Sequence, residues 1–261
     1  MNSRAPLSLL ALLSLAACRI DAGNVEPTSG SADSGTAGTT DDAATDATEP
    51  PGPGSSEGGV QTSDGSTSTD PDSGSSGEPP PAPLECEGYD EADYPEEPVT
   101  FTIEGDRAIM AGFVDGSTPG RVQDLLSDHP NVHTIIMPFV PGSADDESNL
   151  EAALAIHAAG LDTCVPSTGL IASGGVDFFL AGARRSAAEG ALLGVHSWAD
   201  GNGTEGGDLP MDHPDHQFFL DYYEEIEIPA EFYWFTLEAA PAADIHWMTA
   251  KEMATYSVLT K

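Results

Sequence analysis

Positive charge is what this sequence has least of. Across 261 residues, 8 Lys and Arg stand against 44 Asp and Glu, a formal net charge of -36. No Lys or Arg occurs between Ile20 and Asp106, and the only lysines are Lys251 and Lys261. A chain so poor in cations cannot neutralise a phosphate backbone, so nucleic acid is excluded as a partner. Anionic headgroups would likewise repel it. Long apolar runs are missing too, since a bilayer-spanning helix needs ~20 apolar residues, and the apolar run over 7–15 is far shorter. Cysteine is scarce, with three in the whole chain.

What is present begins with the N-terminus. Arg4 supplies a positive charge, 7–15 an apolar segment, and Leu15-Ala16-Ala17-Cys18 a small-residue approach to a cysteine. Together these read as a cleavable export signal over 1–17. Leu-Ala-Ala-Cys in this position resembles the lipobox of bacterial lipoproteins. That resemblance implies that Cys18 is lipidated, becomes the first residue of the mature protein and anchors it in a membrane. Acyl chains hold firmly when two or more are present, at ~0.8 kcal/mol per buried CH₂. Arg19 follows the cysteine in place of an acidic residue, which in a Gram-negative cell directs the protein to the outer membrane, facing periplasm or exterior.

The stretch 18–97 is an acidic low-complexity linker. Over 21–84 it consists of Gly, Ser, Thr, Asp, Glu and Pro with almost no large apolar residue. Such a composition cannot bury enough surface to offset its ordering entropy, and reads as a disordered, self-repelling tether. From 98 to 261 the composition turns globular, and about 160 residues suffice for one domain with a core. Cys86 and Cys164 are the cysteines left after lipidation; in an oxidising compartment they either pair, pinning the start of the domain to its body, or stay as two thiols.

Within 98–261 the pattern alternates. Strands are expected at 107–114, 132–139, 161–166 and 192–196. Helices are expected at 118–127, with Pro119 in the first turn, at 148–159, capped by Gly160, at 173–184, and at 249–256. This order predicts an α/β layered fold with largely parallel strands. The aromatic run 228–235, with Tyr222 and Tyr223 nearby, reads either as a core-facing helix or as an interface or substrate-binding surface.

One segment carries chemistry. In Ile171-Ala172-Ser173-Gly174-Gly175-Val176-Asp177-Phe178-Phe179-Leu180-Ala181-Gly182 a serine opens an apolar helical run. Amides at a helix N-terminus favour a developing oxyanion, although serine is also simply a good N-cap. This segment resembles the Clp protease proteolytic subunit and the wider Clp/crotonase superfamily, in which an Ala-Ser pair carries the nucleophile. The similarity extends to Gly194-Val195-His196-Ser197, matching the strand whose histidine is the base. It also reaches the strand and loop ending Val140-Pro141-Gly142-Ser143, where the family has a Ser-Pro-Gly-Gly loop and this chain has one glycine fewer. It covers roughly 108–261, most closely among exported relatives.

The resemblance implies a Clp/crotonase-like fold and a serine hydrolase of the peptidase kind, acting on a peptide or protein. Ser173 would be nucleophile, His196 base and Asp244 the acid that orients it. The oxyanion hole would use Gly174 with Gly142 or Ser143. Asp177, one helical turn after Ser173, also falls within reach of the site, and Ile245-His246-Trp247 departs from the family pattern after its acid. The alternative is a catalytically silent binding or scaffold module of the same fold. A serine–lysine dyad fails because both lysines lie at the C-terminal end. Asp208, Asp212, His213, Asp215 and His216 have a chelating look but read better as a solvated turn. No cofactor is expected; coenzyme A in particular would meet a strongly acidic chain. Homo-oligomers are common in the superfamily and are expected here.

Overall fold

The computed structural model describes Leu84, Cys86 and residues 97–260. The signal peptide, Cys18 and nearly all of the acidic linker lie outside the described residues. The strands are β1 (Thr100–Glu104), β2 (Arg107–Ala111), β3 (Thr134–Val140), β4 (Asp162–Val165), β5 (Leu170–Ala172), β6 (Arg185–Ala187), β7 (Leu192–Val195) and β8 (His246–Trp247). The helices are α1 (Thr118–Asp128), α2 (Asp146–Ala158), α3 (Gly174–Leu180), α4 (Gln217–Glu225), α5 (Ala230–Ala239) and α6 (Ala250–Thr255). The eight strands form one sheet in which β1 and β8 run antiparallel to their neighbours and all other pairings are parallel. The α/β layering with largely parallel strands expected from the alternating pattern is what the chain adopts.

The sheet forks at β3. Its first half, Thr134 to Ile136, pairs with β4, which continues to β6. Its second half, Phe139 and Val140, pairs with β5, which continues to β7 and then β8. Pro138 sits between the two pairings. Proline has no N–H to offer a ladder, so a central strand tolerates it where pairing changes hands. Within β3, Ile135, Ile136, Met137 and Val140 are fully buried, as fits a parallel strand covered on both faces.

Two of the departures from expectation have visible reasons. The third helix stops at Leu180 rather than running to 184. The guanidinium of Arg185 takes the carbonyls of Gly182 at 2.9 Å and Leu180 at 3.4 Å, and the chain then re-enters the sheet as β6. The same guanidinium bonds Val258 and Ser257 carbonyls, tying the C-terminal segment to this corner. β5 was hidden in the sequence because it is three residues long. Near the start of the domain Cys86 is disulfide-bonded to Cys164 on β4, with Cα atoms 5.8 Å apart. Among the described residues no helix is long and apolar enough to cross a membrane.

The core that fixes the site is the underside of α3. Phe178, Phe179 and Leu180 are fully buried, at roughly 2–3 kcal/mol each on the usual area scale. The aromatic run forms α5 with Phe232 and Tyr233 buried, so its expected core-facing reading holds for these residues.

Candidate active site

Ser173 occupies the one-residue turn between β5 and α3, with φ 51° and ψ -132°. That combination lies outside the regions open to residues with a side chain. A strained strand-to-helix turn is the geometry that lifts a nucleophilic serine clear of its sheet, and strain of this kind costs of order 1–3 kcal/mol. The surroundings hold it in place. The Ser173 N–H donates to the Gly194 carbonyl on β7 at 2.9 Å, and the Val176 N–H donates to the Ser173 carbonyl at 2.7 Å. The buried face of α3 anchors the far side of the turn.

Ser173 and His196 line the same narrow cleft, together with Asp146 and Asp177. His196 directly follows β7, the strand that pairs with β5, so the parallel register sets it near the serine turn. Its Nδ1 lies 2.7 Å from the Ser197 carbonyl. A carbonyl only accepts, so in the neutral imidazole Nδ1 carries the proton and Nε2 keeps its lone pair. Burial pushes the His196 pKa down, opposed by the Ser197 carbonyl and by the carboxylates of Asp146 and Glu205. A histidine in this state is a neutral base at pH 7.

Asp244 does not join them. It is exposed, closes a turn with the Pro241 carbonyl, and its carboxylate accepts the Ile245 N–H at 2.8 Å. The expectation that it orients the imidazole gives way to a local reason: an Asp in a turn before β8 satisfies its own backbone. The group on Nδ1 is the Ser197 carbonyl.

The oxyanion candidates do converge. Pro141-Gly142-Ser143 is held to the end of β2 by the Val114 N–H donating to Gly142 and the Ala144 N–H donating to Val114. Ser143 Oγ donates to Asp146 Oδ1 at 2.5 Å, fastening the loop to the start of α2. Asn149 Nδ2 on α2 donates to the Gly174 carbonyl at 2.8 Å. A β-carbon on Gly174 would sit 2.6 Å from Ser143 Cβ and 2.8 Å from Asn149 Nδ2, so only glycine allows this approach. Gly174 is the first residue of α3, where amides have no partner within the helix.

Asp177 is the carboxylate whose chemistry the cleft alters strongly. Tyr223 Oη donates to its Oδ1 at 2.5 Å, and Tyr222 Oη donates to its backbone carbonyl at 2.6 Å. Burial raises the carboxyl to about 7, the Tyr223 bond pulling the other way and Asp146 adding to the rise. Asp177 therefore exchanges its proton near neutrality. Sequence reasoning placed it near the site and singled out Tyr223 and the run holding Tyr233, but passed over Asp146, Trp198 and Phe219; the long segment after β7 brings these rings back over α3. Trp198 Nε1 donates to Tyr233 Oη at 2.9 Å, and Tyr233 Oη in turn lies 2.7 Å from His216 Nδ1. His216 is thus buried among rings instead of chelating. Among the described residues no three His, Cys, Asp or Glu side chains gather as a metal ion would need.

No protein-family model matches the chain, and no curated protein matches it in sequence. Solved structures are similar in shape. The human enoyl coenzyme A hydratase domain-containing protein 3 is 10% identical, with a TM-score of 0.39 over 63% of this chain and 70% of that one. An enoyl-CoA hydratase from Bacillus halodurans is 14% identical, with a TM-score of 0.38 over 62% of this chain and 71% of that one. A membrane-bound stomatin-specific protease, solved with a substrate peptide, is 14% identical, with a TM-score of 0.38 over 56% and 71%. These are hydratases and a protease of the crotonase and Clp-like kind, and at such values what they act on is not carried over to this chain.

Proposed function

We propose that the chain is a serine hydrolase, acting as a peptidase or esterase through Ser173 and His196 and carried on the outside of a bacterial membrane by lipid on Cys18. The observation that carries the catalytic part is the strained turn at Ser173 opening onto a cleft shared with a neutral His196 whose Nδ1 is already bonded. The lipobox motif ending in Cys18 supports the anchor.

In the first half of the reaction Ser173 Oγ attacks the acyl carbon while His196 Nε2 takes its proton, and the imidazolium leans on the Ser197 carbonyl through Nδ1–H. Negative charge on the acyl oxygen is met by the amide of Gly174 and by the Gly142–Ser143 loop beside it. The tetrahedral species collapses, the leaving group departs with the proton from His196, and Ser173 holds an ester. Water then attacks that ester, gives a proton to His196, and the acid leaves as Oγ recovers the proton.

A fluorophosphonate probe tests this directly. Labelling of the full chain that disappears in Ser173→Ala and falls at least 100-fold in rate in His196→Ala is the expected result, since a general base contributes about 10²–10⁴. A folded protein that takes no label between pH 6 and 9 would refute the hydrolase and favour a silent binding module.

A further inference from the structure

A hollow wider than the catalytic cleft lies between α2 and α4, with a volume of about 700 Å³. From α2 it is lined by Glu147, Leu150, Glu151 and Leu154, and from α4 by Phe218, Asp221, Tyr222 and Glu225. Both sets follow the spacing i, i+3, i+4, i+7, which is one face of a helix, so two helical stripes border one groove. Its floor is apolar. Leu150 and Tyr222 are buried, Leu154 is half-buried, and Phe218 at the lip is 41% exposed. Its rims are acidic. Glu147 and Glu151 stand one turn apart on α2, Asp221 and Glu225 one turn apart on α4, and all four are exposed. Like charges at that spacing repel each other and weaken a helix. No lining residue is Lys or Arg, and among the described residues none of the four carboxylates forms an ion pair with one. Asp221 accepts Gln217 Nε2 at 2.6 Å, and His157, the imidazole of this groove, has its Nδ1 3.0 Å from the Ala181 carbonyl.

We propose that this groove docks a basic amphipathic helix of another protein, its apolar face on Leu154 and Phe218 and its Lys or Arg side chains along the two rims. Charge selects the occupant. A second copy of this chain brings a formal net charge of -36, and the chain's own linker has no Lys or Arg between Ile20 and Asp106. Anionic lipid and phosphate would be repelled in the same way. A neutral apolar segment would cover the floor but leave two pairs of carboxylates facing each other without a cation between them. Apolar anchors at i, i+3, i+4 and i+7 with flanking cations are how a helix seats in a groove of this kind. The α4 stripe is roughly 10 Å long at 1.5 Å per residue, so two to three turns of the partner fill it. The surface does not depend on the chemistry at Ser173.

Three fluorescent peptides of about 16 residues test this by anisotropy with the full chain in about 150 mM salt. One is Leu/Lys with its leucines at i, i+3, i+4 and i+7, one is a scramble of the same composition, and one keeps the leucine pattern with Glu for Lys. The patterned Lys peptide should bind about tenfold or more tighter than the scramble, and the Glu peptide should not bind. Phe218→Ala should weaken the patterned peptide about fivefold or more, and Glu151→Lys with Glu225→Lys about tenfold or more. Attraction to the acidic linker cannot imitate these losses, because Phe218→Ala leaves the charge untouched and the double reversal leaves most of the -36 in place. All three side chains are exposed, so folding should survive, which circular dichroism checks. Equal binding of the scramble, no binding of the patterned Lys peptide, or either variant within about twofold of the parent overturns the proposal. Sedimentation of the chain alone covers the other occupant: a dimer that Phe218→Ala dissolves would give the groove to a second copy and overturn it too.

Discussion

Replacing Asp177 with asparagine should make the fold markedly less sensitive to rising pH. The carboxyl has an ordinary value of 3.8 and stands at about 7 in the folded protein, chiefly because it is buried. Between those two values the folded protein keeps a proton that the unfolded chain has lost, so stability falls as pH rises through that window and levels off above about 7. Holding the shifted carboxyl costs the folded state about 4 kcal/mol once it is ionised, and about 3 kcal/mol of that loss accrues between pH 5 and pH 8. Asparagine can still accept the Tyr223 hydroxyl, and its amide nitrogen adds a roughly constant cost of 1–3 kcal/mol if left without a partner. Many other carboxylates titrate over the same range in a chain with 44 acidic residues, so the informative quantity is the difference between the two proteins. Urea unfolding followed by tryptophan fluorescence, with the disulfide intact, gives it at each pH. The variant should gain on the parent by about 3 kcal/mol from pH 5 to pH 8. Parallel stability curves would mean that Asp177 titrates as an ordinary carboxylate, and that the cleft is not a desolvating environment.

Other perturbations address the remaining contacts. Gly174→Ala forces a methyl against Ser143 and Asn149 and should cost about 2–4 kcal/mol in urea unfolding and abolish probe labelling. Tyr233→Phe removes the hydroxyl between Trp198 Nε1 and His216 Nδ1, leaving both nitrogens unmet, and should lower stability by about 1–3 kcal/mol with little change in the circular dichroism spectrum. At position 173, glycine should be more stable than alanine by about 1 kcal/mol, because only glycine relieves φ 51°; alanine equal to or above glycine would argue that the turn stores no strain.

Much of the fold was legible because it rests on local pattern. The buried run of β3, the Pro119 start of α1 and the Gly160 end of α2 all follow from propensity and turn chemistry. The fork at Pro138 was not, since a proline in a strand announces a break in pairing without naming the partners on either side. The serine turn could be read from Ser173-Gly174-Gly175 before an apolar run, and His196 from its place at a strand end. Asp244 misled because spacing along the chain says little about where a carboxylate points when an exposed turn claims it. Asp146 escaped for the opposite reason. It looks like an ordinary acidic residue in the first turn of a helix, and only the loop at Ser143 and the cleft it lines set it apart.

The lowered value of His196 and the raised value of Asp177 have one leading cause, which is desolvation by the same walls. They are therefore not independent properties. A change that lets water into the cleft would move both groups back together, Asp177 toward 3.8 and His196 toward 6.5. The fold would gain stability above neutral pH, because a carboxylate would no longer be ionised in poor solvent. His196, as the proposed base, would lose ground below neutral pH, because more of the imidazole would already hold a proton. On the serine-hydrolase proposal, aromatic cover over Ser173 would oppose stability and serve chemistry at the same positions.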